Sequence, residues 1–173
     1  MEQYTLIKQF IDDSKELADL LVSTSKISEA TAVNDNYKKV LLLSCASCYE
    51  SRIITIISEF VKSKSQDERV IELVRNKALA RQYHTYFQWD QTKNINSFLG
   101  LFGSEFKTRI CEEISHNDEL VEQISAFLTI GSERNNMVHQ NFLEYKLEKT
   151  FDEIVILHEK ATRFIEYLRQ KFL

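Results

Sequence analysis

The sequence predicts an all-α fold, a compact bundle of four to five main helices with additional short helices. Proline is absent from the 173 residues and glycine occurs only three times, so the residues that break helices and build turns are scarce. Apolar residues make up 43% of the chain and recur at three- and four-residue steps in the long segments. No repeat or linker is visible, so residues 1–173 are predicted to form a single domain.

Three helices are predicted in the first half of the chain. The first runs from Glu2 to Val22 and carries an apolar stripe. The polar stretch from Ser23 to Asn36 is predicted to be a loop, and a second helix follows from Tyr37 to Lys62. Residues 65–68 (Ser-Gln-Asp-Glu) fit a capping box, which predicts a third helix that reaches Arg81.

The second half is predicted to alternate short and long helices. A short helix and turn is expected from Asn94 to Gly103, and a further short helix from Ser104 to Ser115. A long helix should run from Asp118 to about Gln140. Residues 150–153 (Thr-Phe-Asp-Glu) form a second capping box, which predicts a terminal helix that extends to Phe172.

The charge balance and the apolar pattern restrict where the protein acts. A net charge of −4 excludes a surface coated for non-specific nucleic-acid binding, so any such function must rest on a local basic site. No uninterrupted apolar run approaches the roughly 18 residues that span a bilayer, and the N-terminus lacks a secretory pattern. We therefore expect a cytoplasmic protein without a membrane partner.

The cysteines predict packing rather than chemistry. Their number is three, and Cys45 and Cys48 have the Cys-x-x-Cys spacing of some zinc and redox sites. A structural zinc ion needs four ligands, and only Cys111 and His116 remain as distant candidates. We interpret the pair as small residues at a helix contact, and no metal or cofactor is predicted.

The stretch from Arg134 to His139 has the residue types for metal-free RNA cleavage. The Arg134 guanidinium can neutralise the charge that builds up on a phosphate. The His139 imidazole can move the proton of a ribose 2′-hydroxyl near neutral pH, and Asn135 between them both donates and accepts hydrogen bonds. The spacing by itself is common, because an arginine precedes some histidine by five positions in about one such chain in five.

The helical geometry leaves three ways to build this site. On a regular helix Arg134 and His139 lie about 140° apart around the axis and about 7.5 Å apart along it. The arginine stem can reach round, the helix can loosen at its end, or a symmetric dimer can bring two copies together. The dimer is favoured because RNA cleavage needs two proton transfers. Alternatively, Arg134 is a surface residue paired with Glu133 or Glu148, and His139 only complements the helix dipole.

The segment from Phe127 to Phe142 resembles the signature of HEPN domains, in particular the RiboL-PSP-HEPN branch. That signature is an arginine, usually followed by asparagine, then a few residues and a histidine, and a downstream Thr-x-x-Glu helix start is matched by residues 150–153. Residues 47–53 and 98–103 resemble the second-helix segment and the short segment before the next helix.

The resemblance implies an all-α homodimer whose Arg-His elements meet at the interface. Many HEPN domains are metal-independent endoribonucleases of toxin–antitoxin or antiviral defence systems, whereas others bind nucleotides or partner proteins. Carried over to this chain, His139 is the general acid/base, Arg134 stabilises the phosphate charge, and Asn135 positions the ribose or the histidine. Glu50 is a further candidate for orienting Arg134 or His139. The expected partners are an RNA substrate, a second copy of the chain and a cognate antitoxin or defence protein.

Two other groups of residues are given structural interpretations. The third helix carries a basic cluster that could follow an RNA backbone but that we interpret as a solvated face (Arg75, Lys77, Arg81 and His84). The aromatic residues that follow are predicted to pack down on the bundle rather than stack a base (Tyr83, Tyr86, Phe87 and Trp89). His84, His116 and His158 are taken as ordinary helix residues.

Two functional hypotheses remain from the sequence. The first is an endoribonuclease, and the second is a non-catalytic module that binds a nucleotide or a partner protein.

Overall fold

A computed structural model describes residues 2–89 and 94–173, with side chains from Tyr4 onward. These residues form helices and no strand, so the predicted all-α class is confirmed. The helices are α1 (Glu2–Ser23), α2 (Ile27–Lys64), α3 (Glu68–Val74), α4 (Tyr83–Tyr86), α5 (Asn96–Gly100), α6 (Ser104–Ser115), α7 (Asp118–His139) and α8 (Phe151–Phe172). A π-helical turn, Arg75–Leu79, lies between α3 and α4.

The core of the bundle lies between α2, α7 and α8, with α1 packed along α2. Each of the three central helices contributes a buried aromatic ring. The Phe127 ring on α7 lies 5.8 Å from Tyr49 on α2 and 5.1 Å from Phe164 on α8, measured between centroids. All three side chains are almost completely buried. Their ring contacts therefore fix the positions of α2, α7 and α8 relative to one another.

The predicted loop from Ser23 to Asn36 is wrong, because α2 begins at Ile27 and only a tight turn separates it from α1. Ser25 adopts a left-handed conformation with φ 60°. The amide of Ser25 donates to the Val22 carbonyl and that of Lys26 to the Leu21 carbonyl, the pattern of a Schellman motif. The stretch is polar because this end of the α1–α2 hairpin is exposed, and exposure does not prevent a proline-free segment from being helical.

The third predicted helix is shorter than expected. Its N-cap is Asp67, whose side chain accepts from the Arg69 amide, so Ser65 does not form the predicted capping box. The α-helix ends at Val74 and gives way to the π turn, after which Arg81 takes φ 58°. A left-handed arginine cannot continue a helix, so α4 starts a new direction at Tyr83.

The two long helices of the second half agree with their predictions. Helix α7 ends at His139 and helix α8 starts after Thr150. Both halves of the Thr150–Glu153 capping box form, with Thr150 Oγ1 accepting from the Glu153 amide and Glu153 Oε2 accepting from the Thr150 amide. The carboxylate therefore satisfies one of the amides that the first turn leaves unpaired.

Helix α2 is the core helix with a long, largely apolar segment. It contains an 18-residue window that could cross a membrane by length and composition alone, the one such helix in the described part of the chain. Half of that window is buried inside the bundle, and the core helix of a soluble protein passes the same test. Polar and charged residues such as Ser44, Glu50 and Arg52 interrupt the apolar residues of α2, so no uninterrupted apolar run approaches 18 residues.

Candidate functional site

A narrow cleft between α2, α4 and α7 collects three of the four candidate site residues. Glu50 comes from α2, and Arg134 and Asn135 come from α7. The remaining lining residues are mostly aromatic or small (Ala46, Tyr49, Tyr83, His84, Trp89, Phe127 and Gly131). The cleft encloses about 20 Å³ of water-accessible space, room for about one water molecule.

Arg134 is held at the cleft by its neighbour rather than by a carboxylate. Its Nη1 donates to Asn135 Oδ1 at 3.1 Å. No ion pair joins Arg134 to Glu133 or Glu148 among the described residues, so the pairing considered from the sequence does not form there. A half-buried guanidinium that retains donors is suited to an anion that arrives from solvent.

Tyr83 lies within reach of both charged groups of the cleft. Burial raises the pKa of Tyr83 well above its ordinary value, the Glu50 carboxylate raises it further, and the Arg134 guanidinium opposes them. The phenol therefore stays protonated at neutral pH. The cleft thus combines the Arg134 cation, the Glu50 carboxylate, the Asn135 amide and the neutral hydroxyls of Tyr83 and Tyr49.

The Trp89 ring covers α7 at Gly131, where any side chain would collide with the ring in its present position. A Cβ atom built on Gly131 would lie 2.0 Å from Trp89 Cζ3 and 2.2 Å from Trp89 Cε3. The ring also packs on Phe87 at 4.9 Å between centroids, and its Nε1 donates to the His84 carbonyl at 3.1 Å. Tyr86 and Phe87 are buried and Trp89 is half-buried, so the prediction that this aromatic segment packs on the bundle is confirmed.

His139 does not reach the cleft within one chain. It is the last residue of α7, its side chain is exposed, and it is absent from the cleft lining. Because α7 remains helical from Arg134 to His139, the two residues keep the separation of about 140° expected for a regular helix. One chain therefore brings together Arg134, Asn135 and Glu50 and leaves His139 on another face.

The segment after His139 is anchored on both sides. Lys39 is buried on α2, and its Nζ donates to the Phe142 carbonyl at 2.9 Å. The Tyr145 hydroxyl donates to Glu133 Oε2 at 2.7 Å, and burial together with that carboxylate raises the pKa of Tyr145 to about 12. These bonds tie residues 140–149 to α2 and α7, so the end of α7 has a defined position.

Two histidines that the sequence interpretation set aside have specific environments. His84 lines the same cleft as Arg134, although 50 positions separate them in the sequence, so no local pattern could have revealed that they share it. His158 is buried on α8, and its Nδ1 lies 2.8 Å from the Tyr49 hydroxyl at the base of the cleft. Burial lowers the pKa of His158 to about 4, so it is neutral at physiological pH.

The described residues contain no group of three or more His, Cys, Asp or Glu side chains that could hold a metal ion. Cys45 and Cys48 are both buried in the core as free thiols, as their packing interpretation predicted. Burial raises the pKa of both thiols, so they are protonated at neutral pH and poorly suited to redox chemistry.

The fold and the site together define an all-α module with a small, arginine-containing cleft. The family model for RiboL-PSP-HEPN matches residues 8–173, and the chain belongs to this HEPN family. No curated protein and no solved structure matches the chain. The predicted roles of Arg134, His139, Asn135 and Glu50 remain predictions.

Proposed function

We propose that the protein is a metal-independent endoribonuclease that acts as a homodimer. The observation that supports this most directly is the half-buried Arg134 at a cleft with Asn135 and Glu50, in a chain of the HEPN family. Arg134 would stabilise the phosphate charge, and His139 would transfer protons to and from the ribose 2′-hydroxyl and the leaving oxygen. A toxin or antiviral role in the cytoplasm, with a cognate antitoxin or defence protein as partner, completes the proposal.

The position of His139 supports the proposed dimer. Because its side chain lies away from Arg134 in one chain, a two-fold axis near the end of α7 would bring both histidines to one composite cleft. Val138 and Leu143 flank His139 and are 49% and 79% exposed. In the proposed dimer, these two apolar side chains near His139 would be buried at the subunit contact.

The first experiment compares the wild-type protein with His139→Ala on a long single-stranded RNA, with His116→Ala as the matched control at another exposed histidine. Removal of a general acid/base should lower the cleavage rate by about 100-fold to 10,000-fold. The products should end in 2′,3′-cyclic phosphates, and EDTA should leave cleavage unchanged. Equal rates for wild type and His139→Ala, or loss of activity with EDTA, would contradict the proposed chemistry.

The second experiment tests the composite cleft. Wild-type and His139→Ala chains are coexpressed at equal levels, so that about a quarter of the dimers are wild type in both subunits. If the cleft needs both histidines, activity per total protein falls to about one quarter, whereas independent sites give about one half. Light scattering should show that Leu143→Asp is a monomer, and this variant should be inactive. Leu101→Asp is the matched control, because Leu101 is also an exposed leucine, at 61%, but lies away from His139, and this variant should remain a dimer.

The alternative is a non-catalytic HEPN module that binds a nucleotide or a partner protein. The narrowness of the cleft and the distance of His139 from it in one chain favour this second function. It predicts that expression of wild type and of His139→Ala is equally harmless to the host and leaves its RNA intact. Growth arrest and RNA cleavage by the wild type alone would exclude it.

A further inference from the structure

The segment from Arg75 to His84 contains four basic residues and no acidic residue. No acidic residue occurs between Glu72 and Asp90, although the chain as a whole carries a net charge of −4. The four basic side chains of the segment are all exposed (Arg75, Lys77, Arg81 and His84). Arg75 is paired with Glu72, and no ion pair joins Lys77 or Arg81 to a side chain that the structure describes.

The backbone under these side chains is held firmly against the bundle. Leu79 and Tyr86 are buried, and the Tyr86 hydroxyl donates to the Ala78 carbonyl. The π turn closes with the Ala80 amide donating to the Arg75 carbonyl at 2.9 Å. The backbone that carries the basic side chains is therefore ordered before a ligand binds. This lowers the conformational entropy that the segment loses on binding.

The conformation of Arg81 directs the segment toward the cleft. A left-handed arginine is uncommon and costs about 1 kcal/mol or more, and such strain often accompanies function. The turn at Arg81 sets the direction of α4, whose residues Tyr83 and His84 line the cleft beside Arg134. Arg81 and His84 are three residues apart, so their Cα atoms lie within about 11 Å of each other.

We propose that Lys77, Arg81 and His84 form a binding surface for the phosphate backbone of the substrate RNA, which leads the strand to Arg134. This inference rests on the proposed ribonuclease function and names the part of the chain that recognises its substrate. Lys77 and Arg81 are exposed cations without carboxylate partners among the described residues, and such side chains gain free energy from phosphate contacts through the release of counterions. The surface contacts the phosphates of the RNA and not its bases, so it should bind single-stranded RNA with little base preference.

The test measures binding separately from cleavage. A fluorescein-labelled single-stranded RNA of about 20 nucleotides is titrated with the full-length His139→Ala protein, and anisotropy gives Kd at several salt concentrations. Lys77→Glu and Arg81→Glu in this background should each raise Kd about fivefold or more at 0.1 M salt. Each should also reduce the slope of log binding constant against log salt by about 0.7, whereas Arg81→Lys should keep the parental slope.

Lys26→Glu is the matched control, because it makes the same change in net charge at an exposed residue. Lys26 precedes Glu50 by 24 positions, about 36 Å along helix α2, and therefore lies far from the cleft. Its Kd and salt slope should equal those of the parent. Far-UV circular dichroism and urea midpoints establish that all variants fold.

Trp89 provides a second readout, since it is the only tryptophan of the chain and lines the cleft. Its fluorescence should change during the RNA titration with the same midpoint as the anisotropy. Unchanged Kd and slope in the Lys77 and Arg81 variants, or an equal loss in Lys26→Glu, would overturn the proposed surface. Cleavage by the wild-type protein with KM unaffected by Arg81→Glu would also overturn it and leave the ribonuclease standing. Binding that depends on Lys77 and Arg81 in a protein that never cleaves RNA would remove the ribonuclease and leave the surface.

Discussion

Replacing Gly131 by alanine should destabilise the protein, although alanine is the better helix former. The added Cβ would lie 2.0 Å from Trp89 Cζ3, far inside the roughly 3.5 Å at which carbon atoms normally meet. The backbone of α7 is fixed by its neighbours in the core, so the indole ring must move. Displacing the ring exposes apolar surface of the indole and of the residues that it covers. It also breaks the hydrogen bond from Trp89 Nε1 to the His84 carbonyl.

The two opposing effects have different sizes. A half-buried tryptophan hides about 100 Å² of apolar surface, which corresponds to about 2.5 kcal/mol, and the lost hydrogen bond adds about 1 kcal/mol. Alanine returns about 1 kcal/mol through its helix propensity. Gly131→Ala should therefore lower the free energy of unfolding by about 2.5 kcal/mol.

The assay is urea denaturation followed by circular dichroism and by the emission of Trp89. Gly131→Ala should shift the emission to the red, because the ring moves into water. Gly100→Ala is the matched control, since a Cβ there would meet nothing within 4 Å, and its stability should change by no more than about 1 kcal/mol.

A double-mutant cycle isolates the proposed collision. In a Trp89→Ala background no ring opposes the new methyl group, so Gly131→Ala should become neutral or stabilising by up to about 1 kcal/mol. The reasoning is refuted if Gly131→Ala alone is as stable as the wild type with unchanged emission. It is also refuted if the cost of the substitution persists when Trp89 is absent.

Two further predictions concern the bundle itself. Because burial lowers the pKa of His158 to about 4 from the 6.5 of an exposed histidine, the unfolded chain takes up a proton that the folded chain resists. The wild type should lose about 3 kcal/mol between pH 7 and pH 4 that His158→Gln retains, as measured by urea midpoints, whereas His116→Gln should follow the wild type. Thr150→Ala should lower stability by about 1 kcal/mol, because the helix α8 cap loses its side-chain acceptor. A Thr150→Ser variant keeps the hydroxyl and should recover most of that loss in thermal unfolding.

The sequence by itself determined the features that depend on local chemistry. Scarce proline and glycine with helical periodicity require long helices, and the Thr150–Glu153 capping box marks the start of α8 because its hydrogen bonds join residues three apart. Predictions from local sequence failed where two different structures have the same local composition. The stretch 23–36 reads as a polar loop, yet an exposed helix has the same composition, and packing against α1 stabilises it.

Only the tertiary structure decided how the candidate residues are grouped. Arg134 and His139 are neighbours in sequence, but the rotation of 100° per residue on α7 places them on different faces. His84 and Glu50 are distant in sequence, but the packing of α2, α4 and α7 brings both to Arg134. The demand for glycine at position 131 likewise comes from a ring 42 residues earlier in the chain. Such contacts depend on how helices pack across the core, and no spacing along one segment encodes that.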